Sequence, residues 1–420
     1  MQIKFPHGRE EIRIDFPEGS VAKIFEVKAS GSLTGEEIKK SLELPAGSRK
    51  LNEVARGRKD AVIVISDITR YIPYQAFLPF LLSELEAGGI KPGRVSFLVA
   101  TGCHRPATPE EIDKILGKEI ARRYRVLNHS AFDQDGLVSL GKTRKGTPIW
   151  VNKFYARSDL KILTGLIEPH FMAGFSGGRK AICPGISGYD TVKIVHSPRF
   201  LESVNVRNGV LRNNQFHREV TEVAGKAGSD FIVNVTLNKE KNVAGIFCGN
   251  YRASFLNGCR FCREQTSAFS RKRVDLAVTS GGGYPLDLTF YQTIKGIVTA
   301  GEIVRDGGTV LAISGMKEGL GSKNFISLME EYRGPENFLE RYSKPVNFTL
   351  DQWQIEELFK VTRRATVCLY SRNKMPELIE NLGVKIVRDP ESFLAPFFSG
   401  NASIGLLPEG PFVLPKICSK

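Results

Sequence analysis

Three of the six histidines in this 420-residue chain stand in or just after short segments that combine glycine with polar side chains. A histidine gains or loses a proton near neutral pH, which suits general acid–base catalysis. Arginine and lysine bind carboxylates and phosphates. The clustering of these types predicts acid–base chemistry on a small anionic ligand, carried by His104, His170, His196, Asp67, Arg70 and Lys180.

Each polar segment follows a short run rich in β-branched residues. Near-continuous apolar runs of this length are typical of strands buried on both faces of a parallel sheet. Ligands bind outside the carboxyl ends of such strands, so the segments are expected to converge on one site. The predicted strands are residues 61–66, 95–100, 160–164, 275–279 and 309–314.

Helical stretches separate these strands, at residues 76–86 and 109–116, the second opening with Thr108-Pro109-Glu110-Glu111. Alternation of strand and helix predicts an α/β fold with two domains and mainly parallel sheets. We expect a first domain over residues 1–270 and a second over 271–407, with the active-site cleft between them. Residues 408–420 are expected to return to the first domain.

The glycine-rich segment from Gly174 to Lys180 is not a P-loop. That motif needs glycine directly before the lysine and Ser or Thr after it, whereas Arg179 precedes Lys180 and Ala181 follows it. Backbone amides with Arg179 and Lys180 are nevertheless expected to suit a phosphate. The absence of G-x-G-x-x-G after a strand counts against a dinucleotide-binding fold.

Composition narrows the function classes. Lysine and arginine number 59 against 45 acidic residues, a net charge of +14. The charge is scattered and no nucleic-acid motif accompanies it, so we expect no nucleic-acid partner. Seven dispersed cysteines favour a reducing cytoplasm, and Cys259 and Cys262 are expected to pack as small apolar groups on a helix face. No apolar run is long enough for a membrane span or secretory signal.

The ordered set of motifs resembles the nickel-dependent lactate racemase family, from about residue 40 to residue 360. No single motif suffices, and the resemblance rests on the whole set. The motifs are Asp67-Ile68-Thr69-Arg70, Gly102-Cys103-His104-Arg105, Asn128-His129, Glu168-Pro169-His170, Gly174-Phe175-Ser176-Gly177-Gly178-Arg179-Lys180, Pro184-Gly185-Ile186, His196, Tyr291-Gln292-Thr293-Ile294-Lys295 and Asp351-Gln352-Trp353.

The resemblance implies a 2-hydroxy acid racemase or epimerase that carries a nickel-pincer nucleotide, Ni(II)-pyridinium-3,5-bisthiocarboxylate mononucleotide, attached through Lys180. It implies His196 as the protein ligand to nickel, and His104 and His170 as the acid/base pair. Substrate binding falls to Arg70, Gln292 and Lys295. Cofactor contacts fall to Asp67, Ile68, Thr69, Arg70, Ser176, Lys180, His196, Tyr291, Gln292 and Trp353. The family motif containing His129 implies no role for that residue.

The chemistry suits these roles. The α-hydrogen of a 2-hydroxy acid is barely acidic beside a carboxylate, so removal as hydride is easier once a base takes the hydroxyl proton. A cofactor must accept that hydride and return it to either face. Two bases are needed, one for each enantiomer. The implied partners are the small 2-hydroxy acid and the proteins that make the cofactor and insert nickel, with no membrane partner.

Three positions depart from the family's usual pattern. Cys103 stands where threonine is common, Tyr71 where proline is frequent, and Ala181 where serine follows the lysine. The catalytic residue types are kept, so the reaction class stands. Tyr71 and Cys103 are expected to affect the shape of the pocket, which leaves open whether the substrate is lactate or a related 2-hydroxy carboxylate.

Two other functions remain open at this stage. His104, His170 and His196 could bind zinc and activate water for hydrolysis. The fold could also serve a non-catalytic binding protein for an acidic metabolite. Metal analysis distinguishes the hydrolase from the racemase, because zinc without the absorption band of a nickel nucleotide would favour hydrolysis. The binding protein is disfavoured because the chain retains His104, His170, Lys180 and His196.

Overall fold

The computed structural model describes residues 1–418, and its elements alternate between strands and helices. The strands are β1 (Gln2–His7), β2 (Glu10–Asp15), β3 (Val21–Ile24), β4 (Ala61–Ser66), β5 (Val95–Ala100), β6 (Arg125–Asn128), β7 (Leu137–Lys142), β8 (Pro148–Asn152), β9 (Leu160–Leu166), β10 (Pro169–His170), β11 (Gly174–Phe175), β12 (Phe231–Leu237), β13 (Val243–Gly249), β14 (Ser267–Ser270), β15 (Val274–Ser280), β16 (Val304–Ile313), β17 (Thr366–Tyr370), β18 (Val384–Val387), β19 (Ile404–Leu407) and β20 (Leu414–Ile417).

The helices range from single turns to sixteen residues. They are α1 (Gly35–Leu42), α2 (Leu51–Ala55), α3 (Tyr74–Ala87), α4 (Pro109–Leu116), α5 (Lys118–Arg123), α6 (Lys153–Arg157), α7 (Tyr189–Val195), α8 (Pro198–Leu201), α9 (Gln215–Ala227), α10 (Tyr251–Thr266), α11 (Phe290–Gly301), α12 (Lys323–Glu331), α13 (Pro335–Tyr342), α14 (Gln352–Thr362) and α15 (Pro390–Ser399).

The first six-stranded sheet has the order β13-β12-β9-β4-β5-β6. All its pairs are parallel except β12 with β13. The chain leaves β4 toward β5 on one side, and β9 leads to β12 on the other. The crevice between the carboxyl ends of β4 and β9 is therefore the topological switch point, where α/β sheets bind ligands.

The second sheet is parallel throughout, in the order β18-β17-β16-β15-β19-β3. An apolar cluster joins the two units, with Val62 and Leu163 from the first sheet and Val310 and Ile294 from the second unit. The predicted α/β class with mainly parallel sheets is thus confirmed.

The amino-terminal segment belongs to the second sheet, although the predicted first domain contains it. Strand β3 pairs with β19, and Phe5, Ile12 and Ile14 of the β1–β2 hairpin pack against the second sheet. At the other end β20 pairs with β14, while Ser419 and Lys420 lie outside the described residues. The boundary predicted after residue 270 stays a prediction.

None of the helices described over residues 1–418 combines the length and apolar character needed to cross a membrane.

Candidate active site

A cavity of about 540 Å³ lies at the carboxyl edge of the first sheet. Most of its wall comes from the loops after β4, β5 and β9 and from the turn that carries Lys180. The second unit closes it with Ser322, Asn324, Leu350, Asp351 and Trp353. Of the predicted site residues, this cavity brings together Asp67, Ile68, Thr69, Arg70, His104, Ser176, Lys180, His196 and Trp353.

An aspartate–histidine pair forms where β4 and β5 end. His104 Nδ1 donates to Asp67 Oδ2 over 2.7 Å, and the Thr69 hydroxyl donates to the other carboxylate oxygen over 2.6 Å. A ring that donates from Nδ1 keeps its lone pair on Nε2 when neutral. His104 is therefore held in the tautomer of a general base.

The pair shifts both pKa values. The hydrogen bond to Asp67 is the main cause that raises the pKa of His104, whose side chain is 62% exposed. Burial alone would raise the pKa of Asp67, but hydrogen bonds from His104 and Thr69 and the charge of Arg70 hold it below its usual range. The buried carboxylate thus stabilises the imidazolium that forms when His104 accepts a proton.

Asp67→Asn is expected to lower the pKa of His104 in the folded protein, because the neutral amide no longer stabilises the imidazolium. The raised His104 pKa contributes stability below the unfolded pKa that is lost as pH rises through the folded value, so the variant loses stability mainly on the acidic side. NMR titration of the imidazole and unfolding at acidic and alkaline pH measure both effects. An unchanged His104 titration would contradict the assignment.

Arg70 and Lys295 supply positive charge beside this cavity. Arg70 Nη1 lies 2.5 Å from Glu168 Oε1. Both residues line a second cavity of about 20 Å³ with Lys295, His170, Asn208 and Thr299. Burial, with the neighbouring charge of Arg70, lowers the pKa of Lys295 to about 7. A bound carboxylate would raise this pKa and draw a proton onto the amine.

His170 is buried in the hairpin formed by β10 and β11. Its Nδ1 accepts from the backbone amides of Met172 and Ala173, each over 3.2 Å, and its Nε2 lies 2.8 Å from Lys180 Nζ. Burial is the main cause that lowers the pKa of His170 well below its ordinary value, and the charge of Arg70 acts in the same direction. The ring is neutral and, with Nδ1 accepting, carries its proton on Nε2.

Lys180 lies in a short 3₁₀ turn (Gly178–Ala181) that starts after Gly177, whose φ of 75° suits glycine. An added Cβ at Gly177 would lie 2.8 Å from a side-chain carbon of Ile167. Burial and the charges of Arg70, Arg179 and Lys295 lower the pKa of Lys180 well below its ordinary value. The site therefore shifts this amine toward its uncharged, nucleophilic form.

Arg179 does not bind a phosphate at this site, contrary to the sequence expectation. Its Nη2 donates inward to the carbonyls of Ala173 and Phe175, over 2.8 and 3.1 Å, and its guanidinium stacks on Phe255. Burial lowers the pKa of Arg179 to about 10. Arg179 instead holds together the loop that presents Lys180.

Arg179→Met is expected to destabilise the protein by about 3 kcal/mol, because buried carbonyls lose charge-assisted hydrogen bonds. Urea unfolding measures the change, with the exposed Arg212→Met as the matched control. Equal stability of the two variants would contradict a structural role for Arg179.

His196 ends α7 with its imidazole facing the cavity. Its Nδ1 donates to the Val192 carbonyl over 2.9 Å, and the ring centroid lies 4.7 Å from that of Trp353. Burial is the main cause that lowers the pKa of His196 to about 3. A neutral imidazole whose Nδ1 proton is held by a backbone carbonyl keeps a free lone pair on Nε2, which is able to bind a metal.

The second unit contributes an aromatic wall. Trp353 Nε1 donates to the Tyr291 hydroxyl over 2.9 Å. Gln292, beside Tyr291 on α11, has a buried Oε1 without a hydrogen-bond partner in the described chain. Asp351 also lines the cavity with φ at 72°, and its carboxylate accepts from Ser322 Oγ over 2.5 Å. Sequence reasoning did not assign Asp351 a role, although a polar side chain beside Trp353 was the available signal.

The structure does not support the expected roles of Ser176 and Tyr71 in the pocket. The Ser176 hydroxyl donates to the Leu166 carbonyl over 2.6 Å and accepts from the Glu168 amide, so it is already used within the protein. Tyr71 is 50% exposed and does not line the cavity, whereas Cys103 and Ala181 do. Any change in pocket shape therefore comes from Cys103 and Ala181, and the expectation for Tyr71 is wrong.

His129, which had no assigned role, is structural. Its Nε2 donates to the Ser187 carbonyl over 3.0 Å and its Nδ1 accepts from Asn152 over 3.2 Å. Burial lowers the pKa of His129 to about 4. Cys259 and Cys262 are buried free thiols on α10, as the sequence predicted.

His104, His170 and His196 do not form a common metal site, and His170 lines a different cavity from the other two. His104 Nδ1 faces Asp67, and His170 uses its nitrogens on backbone amides and Lys180. Within residues 1–418 no group of three or more His, Cys, Asp or Glu side chains is arranged to hold a metal ion. The geometry therefore does not support the three-histidine zinc hydrolase.

The two-unit α/β fold gathers a histidine–aspartate pair, a buried lysine amine and a buried imidazole at one switch point, which is where enzymes of this architecture bind small molecules. Residues 7–209 match the family described as lactate racemase N-terminal domain, and residues 269–413 match lactate racemase C-terminal domain. The chain belongs to the lactate racemase family, a family of isomerases.

Known relatives agree along nearly the whole chain. Lactate racemase of Lactiplantibacillus plantarum is 34% identical over 387 residues, which covers 91% of each protein. Lactate racemase of Thermoanaerobacterium thermosaccharolyticum is 32% identical over 422 residues, covering 98% of each. The structure of a lactate racemase apoprotein from T. thermosaccharolyticum superimposes with a TM-score of 0.93 at 30% identity, covering 99% of this chain and all of that one.

Proposed function

We propose that this protein racemises a short 2-hydroxy acid, with lactate as the first candidate, by hydride transfer with a nickel-pincer nucleotide. The observation that carries the proposal is the meeting of the Asp67–His104 pair, the uncharged Lys180 amine and the His196 imidazole in one cavity. The names of the relatives support the substrate. The proteins that synthesise the cofactor and insert nickel are the proposed partners.

The donor set fits the proposed cofactor. Lys180 offers an amine for an amide-type link, and His196 offers one neutral nitrogen to nickel, whose other ligands come from the cofactor's own sulfur and carbon atoms. Trp353, Tyr291 and Thr69 would border the group, and the cavity of about 540 Å³ has room for it. The bound cofactor supplies an acceptor and donor of hydride.

The cations near the small cavity would hold the substrate. Arg70 presents a planar fork to the carboxylate and Lys295 a point charge. Gln292, whose buried oxygen lacks a partner in the described residues, lines neither cavity, so the substrate contact that the family resemblance implies for it stays a prediction. Phe171, Leu286 and Phe412 add apolar surface to the small cavity, whose volume of about 20 Å³ holds about one water molecule, so the substrate would lie in the larger cavity that Arg70 also lines.

His104 and His170 would exchange the hydroxyl proton of the two enantiomers. His104 presents a lone pair at Nε2, while His170 presents a proton at Nε2. One ring is thus ready to accept and the other to donate. This complementarity suits a reaction that removes a proton from one enantiomer and adds one to form the other.

Racemisation assays test the activity directly. The protein is co-expressed with the cofactor-making enzymes and incubated with single enantiomers of lactate and longer 2-hydroxy acids. We expect racemisation of short substrates, with Lys295→Met raising KM because a carboxylate partner is lost. Loaded protein that racemises no 2-hydroxy acid would contradict the proposal.

The fate of the α-hydrogen tests the mechanism. Substrate carrying deuterium on C2 is converted in ordinary water, and the product is analysed by mass spectrometry. Hydride transfer keeps deuterium on C2, because the hydride is not exchanged with solvent. Extensive deuterium loss would show that the α-hydrogen leaves as a proton.

A further inference from the structure

His170 has a contact that its proposed part in catalysis does not require, because its Nε2 lies 2.8 Å from Lys180 Nζ. The opposite ring nitrogen, Nδ1, accepts from the amides of Met172 and Ala173 in the turn that follows. Two backbone donors aimed at Nδ1 exclude a proton there. The proton of the neutral ring must therefore lie on Nε2, between the ring and the lysine nitrogen.

This arrangement fixes the state of the lysine as well. An Nε2–H needs an acceptor, and an amine nitrogen can accept only while its lone pair is free. An ammonium group has no lone pair and would place its hydrogens against the ring proton. The hairpin of β10 and β11 thus selects, through His170, the form of Lys180 that can attack an electrophile.

We propose that His170 is a positioning residue for cofactor attachment, which holds Lys180 as an uncharged, oriented nucleophile before the cofactor arrives. That Lys180 is the attachment point rests on the proposed function. In the condensation of the amine with one thiocarboxylic acid group of the cofactor, a bond forms between Nζ and the thiocarboxylic carbon and the carbon–oxygen bond breaks. The oxygen leaves as water with its own proton and one amine proton, and the link that remains is a thioamide, an amide-type bond. The resulting amide nitrogen has no free lone pair, so attachment releases His170 Nε2–H for the substrate.

The charged groups around Lys180 also lower its pKa and so favour the uncharged amine. Arg70 from the loop after β4, Lys295 from α11 and Arg179 from its own turn are cations that disfavour an ammonium group. The Cys183 thiol has a small effect that raises the pKa of Lys180. The nearby His196 ring is neutral and adds no charge. These groups favour an uncharged amine but do not orient it, whereas the hydrogen bond to His170 does.

Acetylation of the full-length, cofactor-free protein tests the proposal. A trace pulse of acetic anhydride is applied from about pH 6 to about pH 10, below and around the ordinary lysine pKa of about 10.4. Peptide mass spectrometry reports Lys180, with the exposed Lys118 as internal reference. If Lys180 is held uncharged, its acetylation rate should rise far less across this pH range than the rate of Lys118, which gains about tenfold per pH unit below its pKa.

Two variants isolate the hydrogen bond. His170→Leu removes the donor, and we expect the acetylation profile of Lys180 to move to higher pH by about one unit, so that the rate at the acidic end of the range falls by up to about tenfold. His170→Gln retains an N–H donor and should restore most of the rate. Equal rates in the wild type and the leucine variant would overturn the proposal.

A measurement on the wild-type protein tests the proposal even if the variants fail to fold. The ¹⁵N chemical shifts of the imidazole should show a bare Nδ1 and a protonated Nε2, and a proton on Nδ1 would overturn the proposal. Loss of the proposed function would be seen separately, as absent racemisation or an adduct elsewhere. Neither result alters acetylation of the cofactor-free chain.

Discussion

Lys180→Met is expected to abolish covalent retention of the cofactor and reduce racemisation to the background rate. Methionine has a similar length and no charge, so it resembles the uncharged amine that the cavity holds but lacks a nucleophile. The loop should survive, because Arg179 and its carbonyl partners hold it. Intact-mass measurement of protein co-expressed with the cofactor-making enzymes gives the result.

Lys295→Met is the matched control for this substitution. It also removes a buried cavity lysine, one whose pKa is lowered to about 7, but it leaves Lys180 in place. The control should keep the full adduct mass while binding substrate more weakly. An adduct on the Lys180→Met protein would place the link on another residue.

The strand framework could be predicted from the sequence because its signals are local. The run at residues 61–66 is β4 and that at 95–100 is β5, and both are buried apart from their last residue. Helix α4 begins and ends as predicted, because Thr108 and Glu111 form a reciprocal capping box. Convergence of the loops then follows from parallel strands ending at one edge.

Long-range pairing could not be predicted in the same way. Nothing in Val21–Ile24 indicates that this short strand pairs with β19, nearly 400 residues away. The tip of the β1–β2 hairpin enters the second sheet's crevice, where the Gly8 amide donates to the buried Asp287 carboxylate over 2.8 Å. The hairpin occupies part of the edge at which a second ligand site would be expected.

Side-chain direction limited the prediction of the site. Arg179 and Lys180 are adjacent, and their types alone suggest one anion site, but one points into the interior and the other into the cavity. His129 belongs to a family motif yet connects two loops through Ser187 and Asn152. The sequence shows which residue types follow each strand. Which of these side chains enter the same cavity depends on how each is buried in the fold, and the sequence pattern does not show that.

His104→Gln and His170→Gln are each expected to lower racemisation by about 10²–10⁴-fold, the usual cost of losing a general acid or base. The two enantiomers have equal free energy in solution, so the equilibrium constant is one. Each variant must therefore lose kcat/KM by the same factor in both directions. Polarimetry from each pure enantiomer measures the loss, with His217→Gln, outside the cavity lining, as control.

The double variant distinguishes two bases from one. If each histidine serves one enantiomer, their proton transfers are separate barriers in series, and the resistances of the two steps add. When one step is already slowed, slowing the other to the same extent lowers the total rate only about twofold further. If both histidines acted in a single transition state, their losses would multiply. A double variant much slower than either single variant would therefore contradict the two-base assignment.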